Sequence, residues 1–436
     1  MHASRAVAGI AAVIAAGCFH PTPPEPFAAW PAGDPAPAPA AAAAPELPAD
    51  GALDVDAAIR YALAHAPVIG LRRDVDRVAE ADIAAAGQLT NPELHLGRTT
   101  EDDRLLGDTT RFVIAFRLLL DRPWARDARI AAARASYRAE RATTSAAERD
   151  VVAAIRRGYA ELAFGDATRA LLARQKDVLG ERRRVLGEQL ARSTATQLEV
   201  LLADQDAGEV DAQLSAIELA AARQRAELAR LLGLPPGRAF HPVWDTAREH
   251  AIASGFDRRA LEDRALARPE LVELAARAEA AEAVAYEQRG RRVPWFESVQ
   301  VERSVRDQAE WAVATTISLP LASLNTGGIA AADARRRRLV DERRRLGADT
   351  VRQVDDAIEL AETTGRRARA LRDRLAPLAE QLTALVAAET AAAVSDPVKL
   401  LLLEERHVRA ARAVLDAERD HRMAVIALAA LTGDAP

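Results

Sequence analysis

The chain has 436 residues, 49% of them hydrophobic but 4% aromatic, and 59 basic against 64 acidic side chains leave a formal charge of −5. That length accommodates two or three ordinary domains, yet alanine dominates the apolar share, and alanine favours helix while burying little area. The mixed, near-neutral charge argues against a nucleic-acid binder, which carries a clustered basic excess. One cysteine excludes an internal disulfide and a zinc site built from several thiolates.

Residues 1–17 carry Arg5, the apolar run Ala6 to Ala16 and Gly17. A positive start, a short apolar stretch and small residues describe a secretory signal, and the run is too short to span a bilayer as a helix. Ala15-Ala16-Gly17-Cys18 resembles the bacterial lipobox, with Ala15 where Leu is usual, so Cys18 is the expected acylated first residue of the mature chain. The alternative is an ordinary signal cut elsewhere. Phe19 follows rather than the Asp that favours inner-membrane retention, which points to the outer membrane. Residues 18–52, rich in Pro and Ala, read as a linker that cannot fold alone.

From Leu53 the pattern turns helical and repeats after about 200 residues. Pro67 and Pro92 recur as Pro269 and Pro294, Ile130-Ala131-Ala132-Ala133 as Ile329-Ala330-Ala331-Ala332, and the ending Leu228 to Gly233 as Leu428 to Gly433. Residues 53–233 and 257–433 are therefore two copies of one unit, joined by 234–256. Each copy predicts a short helix, a medium helix, two strands, a very long helix, a break and another long helix. No proline lies between Pro123 and Pro235, so the helix predicted from about Trp124 to Arg192 extends about 100 Å. Thr196 is placed to cap the next helix. Asp396 and Pro397 do the same in the second copy, as N-cap and first helical residue, and Pro377 is expected to kink the long helix before them.

The strands fall in hairpins at about 92–120 and 294–321. Phe112, Ile114, Phe116 and Leu118 alternate with smaller or polar residues, as do Trp311, Val313, Thr315, Ile317 and Leu319. Such alternation over about ten residues suits a strand with lipid on one side and water on the other. A soluble hairpin packed on helices is the other reading. Four strands cannot close a barrel, and open edges do not survive in lipid, so a membrane barrel would be shared between subunits. Phe112, Phe116, Trp295, Phe296 and Trp311 would supply nearly all of its aromatic girdles.

Leu53-Asp54-Val55-Asp56-Ala57-Ala58-Ile59, Asn91-Pro92-Glu93-Leu94, Ser318-Leu319-Pro320-Leu321 with Asn325-Thr326-Gly327-Gly328, Thr196-Gln197-Leu198-Glu199-Val200-Leu201 and the two Leu…Gly endings resemble one known family, the TolC-like outer-membrane efflux proteins. The likeness covers about residues 53 to 433. It implies a mainly α fold with a small β part: a homotrimer with four strands per protomer in one twelve-stranded transmembrane barrel, and paired long helices forming an α-barrel across the periplasm. It implies an outer-membrane exit duct for small molecules or metal ions, working with a periplasmic adaptor and an inner-membrane pump, in contact with outer-membrane lipid and without a cofactor. The stretch from Asn91 to Leu94, with Leu120-Asp121, is slightly nearer the metal-exporting branch, although Arg122-Pro123-Trp124 replaces the family's Gly-rich turn. A type I secretion duct and a lipid-anchored coiled-coil scaffold without a pore are the alternatives.

In that family, acidic residues at the helical tips constrict the pore. Thr196, Glu199, Asp204, Asp396, Lys399 and Glu404 are the corresponding candidates, and adaptor docking is expected near Thr194 to Leu198 and Val394 to Val398. Lys399 stands where an acid is expected, so Glu199 and Lys399 either form interhelical ion pairs, weak if exposed, or are solvated tip residues. Phe112, Ile114, Phe116, Trp311, Val313 and Ile317 are the expected membrane-facing set. Arg335 to Arg338 and Arg343 to Arg345 lie in a helical pattern beside Asp341 and Glu342 and read as helix surface. No spacing of residues suggests catalysis or a metal site: GxSxG, HExxH, P-loop and GxGxxG signatures are absent in suitable contexts.

Overall fold

A computed structural model describes residues 47–48, 51–103, 107–238, 240–305, 309–319, 324–392 and 397–433. The predicted signal, Cys18 and Asp396 lie outside these residues. In chain order the elements are β1 (Ala52–Leu53), α1 (Val55–His65), α2 (Pro67–Ala86), β2 (Glu93–Asp103), β3 (Gly107–Leu119), α3 (Pro123–Ala191) and α4 (Gln197–Leu231). They continue as β4 (His241–Pro242), α5 (Thr246–Glu249), α6 (Arg258–Leu266), α7 (Pro269–Gly290), β5 (Trp295–Val305), β6 (Ala309–Ser318), α8 (Thr326–Ala392) and α9 (Pro397–Thr432). No described helix is both long and apolar enough to cross a membrane.

Local chemistry sets these boundaries. Asp54 caps α1 by accepting from the Ala57 N–H at 2.6 Å, and Pro67, Pro123 and Pro269 open their helices where a missing N–H is harmless. The 69 residues of α3 make a rod about 100 Å long. It ends in a hydrogen-bonded reversal: the Thr194 N–H donates to Gln189 O at 2.8 Å and the Ser193 N–H to Leu190 O at 2.9 Å. Ser193 takes the left-handed conformation, φ 61°, where glycine is usual. Gly233 performs that turn after α4 at φ 71°, and a Cβ there would meet His65 O at 2.6 Å. In the second copy α8 runs on through Pro377, and Pro397 opens α9.

The helices form a single row. Toward the strands the order of contact is α2–α3–α7–α8; toward the far ends it is α4–α3–α9–α8. Two similar cores hold the row together. In the first, Ala58, Ala62 and Ile69 pack on Val151, Ile155, Tyr159 and Leu228; in the second, Leu261 and Ala265 pack on Val354, Ile358, Val425 and Leu428. A further buried cluster, Leu172, Leu179 and Val210, ties α3 to α4. The predicted linker ends earlier than residue 52. Ala52 pairs in parallel with His241, and Leu47 packs on the first core, because the edge of β4 and the apolar face beside Phe240 offer this segment partners.

Candidate functional site: a two-faced sheet and a capped helical tip

One antiparallel sheet of order β2–β3–β5–β6 stands at one end of the helical row. Residues directly opposite in such a sheet share a face, so the register sorts the side chains. Phe112 lies opposite Arg98 and Val305, Ile114 opposite Leu96 and Arg303, and Phe116 opposite Leu94 and Val301. Val301 lies opposite Val313, and Arg303 opposite Trp311. A register shift between Phe296 and Ser298 sets Phe296 opposite Ile317, which puts Phe296 on the face of Val313 and Trp311. All six membrane-facing candidates, Phe112, Ile114, Phe116, Trp311, Val313 and Ile317, therefore share one face, and all are exposed.

The opposite face is charged. Arg117 donates to Ser298 Oγ at 3.2 Å and lies 3.6 Å from Glu93, and Arg111 donates to Ser304 Oγ at 2.8 Å and pairs with Glu302 at 3.8 Å. His95 and Glu93 meet at 3.1 Å. Sequence reading followed the apolar members of the alternation and missed these partners, although Arg111 and Arg117 sit in the same period of two. It also assigned Trp295 to an aromatic girdle. The register shift instead places Trp295 opposite Ser318, where its ring meets Trp124 edge-on at 4.9 Å and its Nε1–H donates to Leu120 O at 3.1 Å. Trp295 locks the sheet to α3.

Among the described residues neither edge of the sheet has a further strand beside it. β2 and β6 each have one neighbour in the sheet, leaving a row of unpaired backbone groups. In the helical row α2 and α4 end one side and α8 the other. Val68, Leu71, Val75 and Val78 make an exposed apolar stripe along α2, and Leu198, Leu201 and Leu202 another at the start of α4.

The helical tip is built by charge. The Thr196 N–H donates to Glu199 Oε2 at 2.7 Å, its hydroxyl donates to the same oxygen at 2.9 Å, and the Glu199 N–H returns to Thr196 Oγ1 at 3.3 Å. This is a complete capping box, and its bonds hold the Glu199 carboxyl below the usual carboxylate range. Within the chain Glu199 thus binds Thr196 and not Lys399, which is exposed in the first turn of α9. Asp204 pairs with Arg183 at 2.5 Å and Glu404 with Arg174 at 3.0 Å. Further along, Arg182 of α3 bridges Asp206 of α4 at 3.2 Å and the buried Glu405 of α9 at 3.3 Å. The basic rail of α3 lies between two acidic ones, a pattern that residue-by-residue reading of the tips missed.

A second ionic cluster anchors the segment between the copies. His250 Nδ1 meets Glu418 at 2.6 Å, and Arg372 donates to Glu418 at 2.8 Å and to His250 O at 2.9 Å. Burial opposes the charge of Glu418, but the bonds from His250 and Arg372 outweigh it and hold the carboxyl below its usual range. Arg422 grips Glu249 through two bonds, at 2.9 and 3.3 Å, with both side chains buried. His421 Nδ1–H donates to Ala361 O at 3.0 Å, and burial pushes this ring's pKa down. Among the described residues no group of three or more His, Cys, Asp or Glu is placed to hold a metal ion.

A row of helices about 100 Å long, carrying a two-faced sheet whose outer strands each have one neighbour, defines a class: the chain has the fold of the TolC-like outer-membrane channels. Solved structures share it. CusC, studied for its folding and transmembrane channel formation, matches at 17% identity and a TM-score of 0.70 over 87% of this chain and 92% of its own. VceC, an outer membrane protein of Vibrio cholerae, matches at 20% identity and 0.68 over 87% and 96%. The open state of the Neisseria gonorrhoeae MtrE outer membrane channel matches at 16% identity and 0.68 over 87% and 88%. No family model and no curated protein matches the sequence.

Proposed function

We propose that the protein is the outer-membrane exit duct of a tripartite efflux system, assembled from three copies and anchored at an acylated Cys18. The observation that carries this reading is the pair of open edges on a sheet whose faces are already sorted, apolar on one side and charged on the other. Backbone groups left unpaired in lipid are costly, and four strands are half of the smallest membrane barrel. Joining β6 of one copy to β2 of the next removes every edge, and three copies give twelve strands. The charged face with Arg111, Arg117 and Glu302 then lines a water-filled lumen.

The faces constrain the join. Odd-numbered residues of β6 must meet even-numbered residues of β2, which sets Ile317 against Leu94 or Leu96 of the partner subunit. The helical row closes in the same way, with α8 of one copy covering the apolar stripe Val68, Leu71, Val75 and Val78 on the next, as α3 covers α7 within the chain. Such a head-to-tail contact closes into a ring when its rotation allows. The tips around Thr196, Glu199, Asp204, Asp396, Lys399 and Glu404 form the periplasmic entrance and meet the adaptor, and small molecules or metal ions arrive there from an inner-membrane pump.

Planar-bilayer recording of the purified full-length protein tests the duct. A stable conductance is expected, and Lys399→Glu is expected to alter it by changing the charge at the entrance. A purified protein without conductance is the outcome expected of a lipid-anchored scaffold and would contradict the duct.

A further inference from the structure

Two arginines interrupt the apolar face of the sheet. Arg98 of β2 lies opposite Phe112, and Arg303 of β5 lies opposite Ile114 and Trp311. Both are exposed, and among the described residues neither has a carboxylate within ion-pair distance. Each guanidinium instead stands over an aromatic ring, Arg98 at 5.9 Å from the Phe112 centroid and Arg303 at 5.4 Å from that of Trp311. A ring face attracts the cation and leaves the guanidinium N–H groups free to point outward. The charged pairs of the other face, by contrast, are internally matched.

The heights of the two arginines suit a headgroup. Given a membrane-inserted sheet, on which this inference rests, the helices leave toward the periplasm and the hairpin tips point to the outer leaflet. Allowing for the bulged residue, Arg303 stands six ladder steps beyond Phe296, the separation of Ile317 and Trp311 on β6, which is about 20 Å of strand and about 15 Å of height at a tilt near 40°. The apolar band of a membrane barrel is about 25 Å tall, and a long arginine side chain reaches several ångströms further toward the interface. Arg303 therefore arrives at the outer boundary of the hydrocarbon beside the ring of Trp311, and Arg98, in register through Phe112 with Val305, arrives there beside Phe112, neither paired with a carboxylate among the described residues. A planar guanidinium there pairs best with a phosphate oxygen through parallel N–H···O bonds.

We propose that Arg98 and Arg303 form a lipid-binding site for the phosphate groups of an outer-leaflet glycolipid. The test measures equilibrium binding of the two-phosphate glycolipid lipid A, and of its dephosphorylated form, to the full-length protein in nonionic detergent. Each arginine is expected to contribute about fivefold in affinity, so R98Q/R303Q binds lipid A about 25-fold more weakly than the wild type. Removing the phosphates lowers wild-type binding by the same factor, and R98K/R303K retains most of it. Equal binding of the two glycolipid forms by the wild type overturns the site, whether or not R98Q/R303Q folds. Displacement of lipid A by low-millimolar inorganic phosphate also overturns it, by assigning the arginines to a free anion. The same preparations are reconstituted into vesicles. Wild-type protein that inserts and conducts without phosphate preference removes this proposal alone, whereas failure to insert removes the membrane reading and this one with it.

Discussion

The two copies of the repeat have the same core geometry and hold it by different means. In the first, α1 packs on α3 and α4 through apolar residues, and the buried Tyr159 at its centre donates its hydroxyl to Leu53 O at 3.0 Å. Burial raises the pKa of that phenol and keeps it neutral. In the second, α6 packs on α8 and α9, but α5 and His250 add Glu249–Arg422 and His250–Glu418–Arg372 at the core's margin. The difference lies in what each core must restrain. The first closes on its own chain, with Gly233 turning against His65. The 234–256 connection begins in the first core, where Leu234, Phe240 and Trp244 pack, and its polar end at Glu249 and His250 is fastened by the second. Buried ion pairs specify position strongly but are fragile when one partner is lost.

Removing one partner gives the largest effect. Arg422→Ala leaves Glu249 buried and uncompensated, and should destabilise the second copy by about 3–5 kcal/mol; amide hydrogen exchange should show the loss in α5, α8 and α9. Pairing the charge-free residues in Glu249→Gln with Arg422→Met should recover most of it. If the single variant exchanges like the wild type, the connection is not held by this pair. In the first copy the corresponding probe is apolar. Leu228→Ala removes a fully buried side chain and should cost about 2–5 kcal/mol, with faster exchange confined to α1, α3 and α4.

Acid separates the copies without mutation. The folded pKa of Glu418 lies below its ordinary value of 4.5, and that of His421 below 6.5. Both groups stabilise the fold fully above their unfolded values, and that contribution is lost as pH falls, first for His421 from about 6.5 downward and then for Glu418 below about 4.5. His421 must then charge among Arg369, Arg422, the Thr364 hydroxyl and the backbone beside Gly365. Exchange at pH 5 should therefore accelerate in α8 and α9 before α1 and the first core. Simultaneous loosening of both copies would remove the distinction.

The smallest effects lie at the first tip. Thr196→Ala deletes the cap and should cost about 1 kcal/mol, loosening the first turn of α4. Ser193→Gly relieves a left-handed residue and should stabilise the turn by up to about 1 kcal/mol. Unchanged exchange at residues 190–202 in both variants would show that the tip is held by the Arg183–Asp204 and Arg182–Asp206 pairs alone.

Much of this was legible in the sequence because local chemistry decided it. Pro123, Thr196 and Pro397 set helix ends through N-terminal preferences that need no distant partner, and alternation at Phe112 to Leu118 marked a strand. Residues that act across the fold were not legible. Nothing local links His250 to Glu418, 168 residues on, or Arg182 to Glu405. The extra residue between Phe296 and Ser298 inverted the side taken by Trp295, since a bulge shifts the period of two without any composition signal. The charged face of the sheet was present in the alternation but was read only for its apolar half.

The central claim is that β6 of one copy completes the sheet at β2 of the next in a closed ring of three. Cysteine pairs placed at this join, Ile317→Cys with Leu94→Cys and Ile317→Cys with Leu96→Cys, test it directly on oxidised full-length protein run under denaturing conditions. Covalent species up to three chains are expected from at least one pair, reversed by reductant, with none from controls that carry one introduced cysteine beside Cys18 or from Ile317→Cys with His95→Cys, which faces the other side. Monomer alone from both pairs, or equal cross-linking by the His95→Cys control, would contradict it.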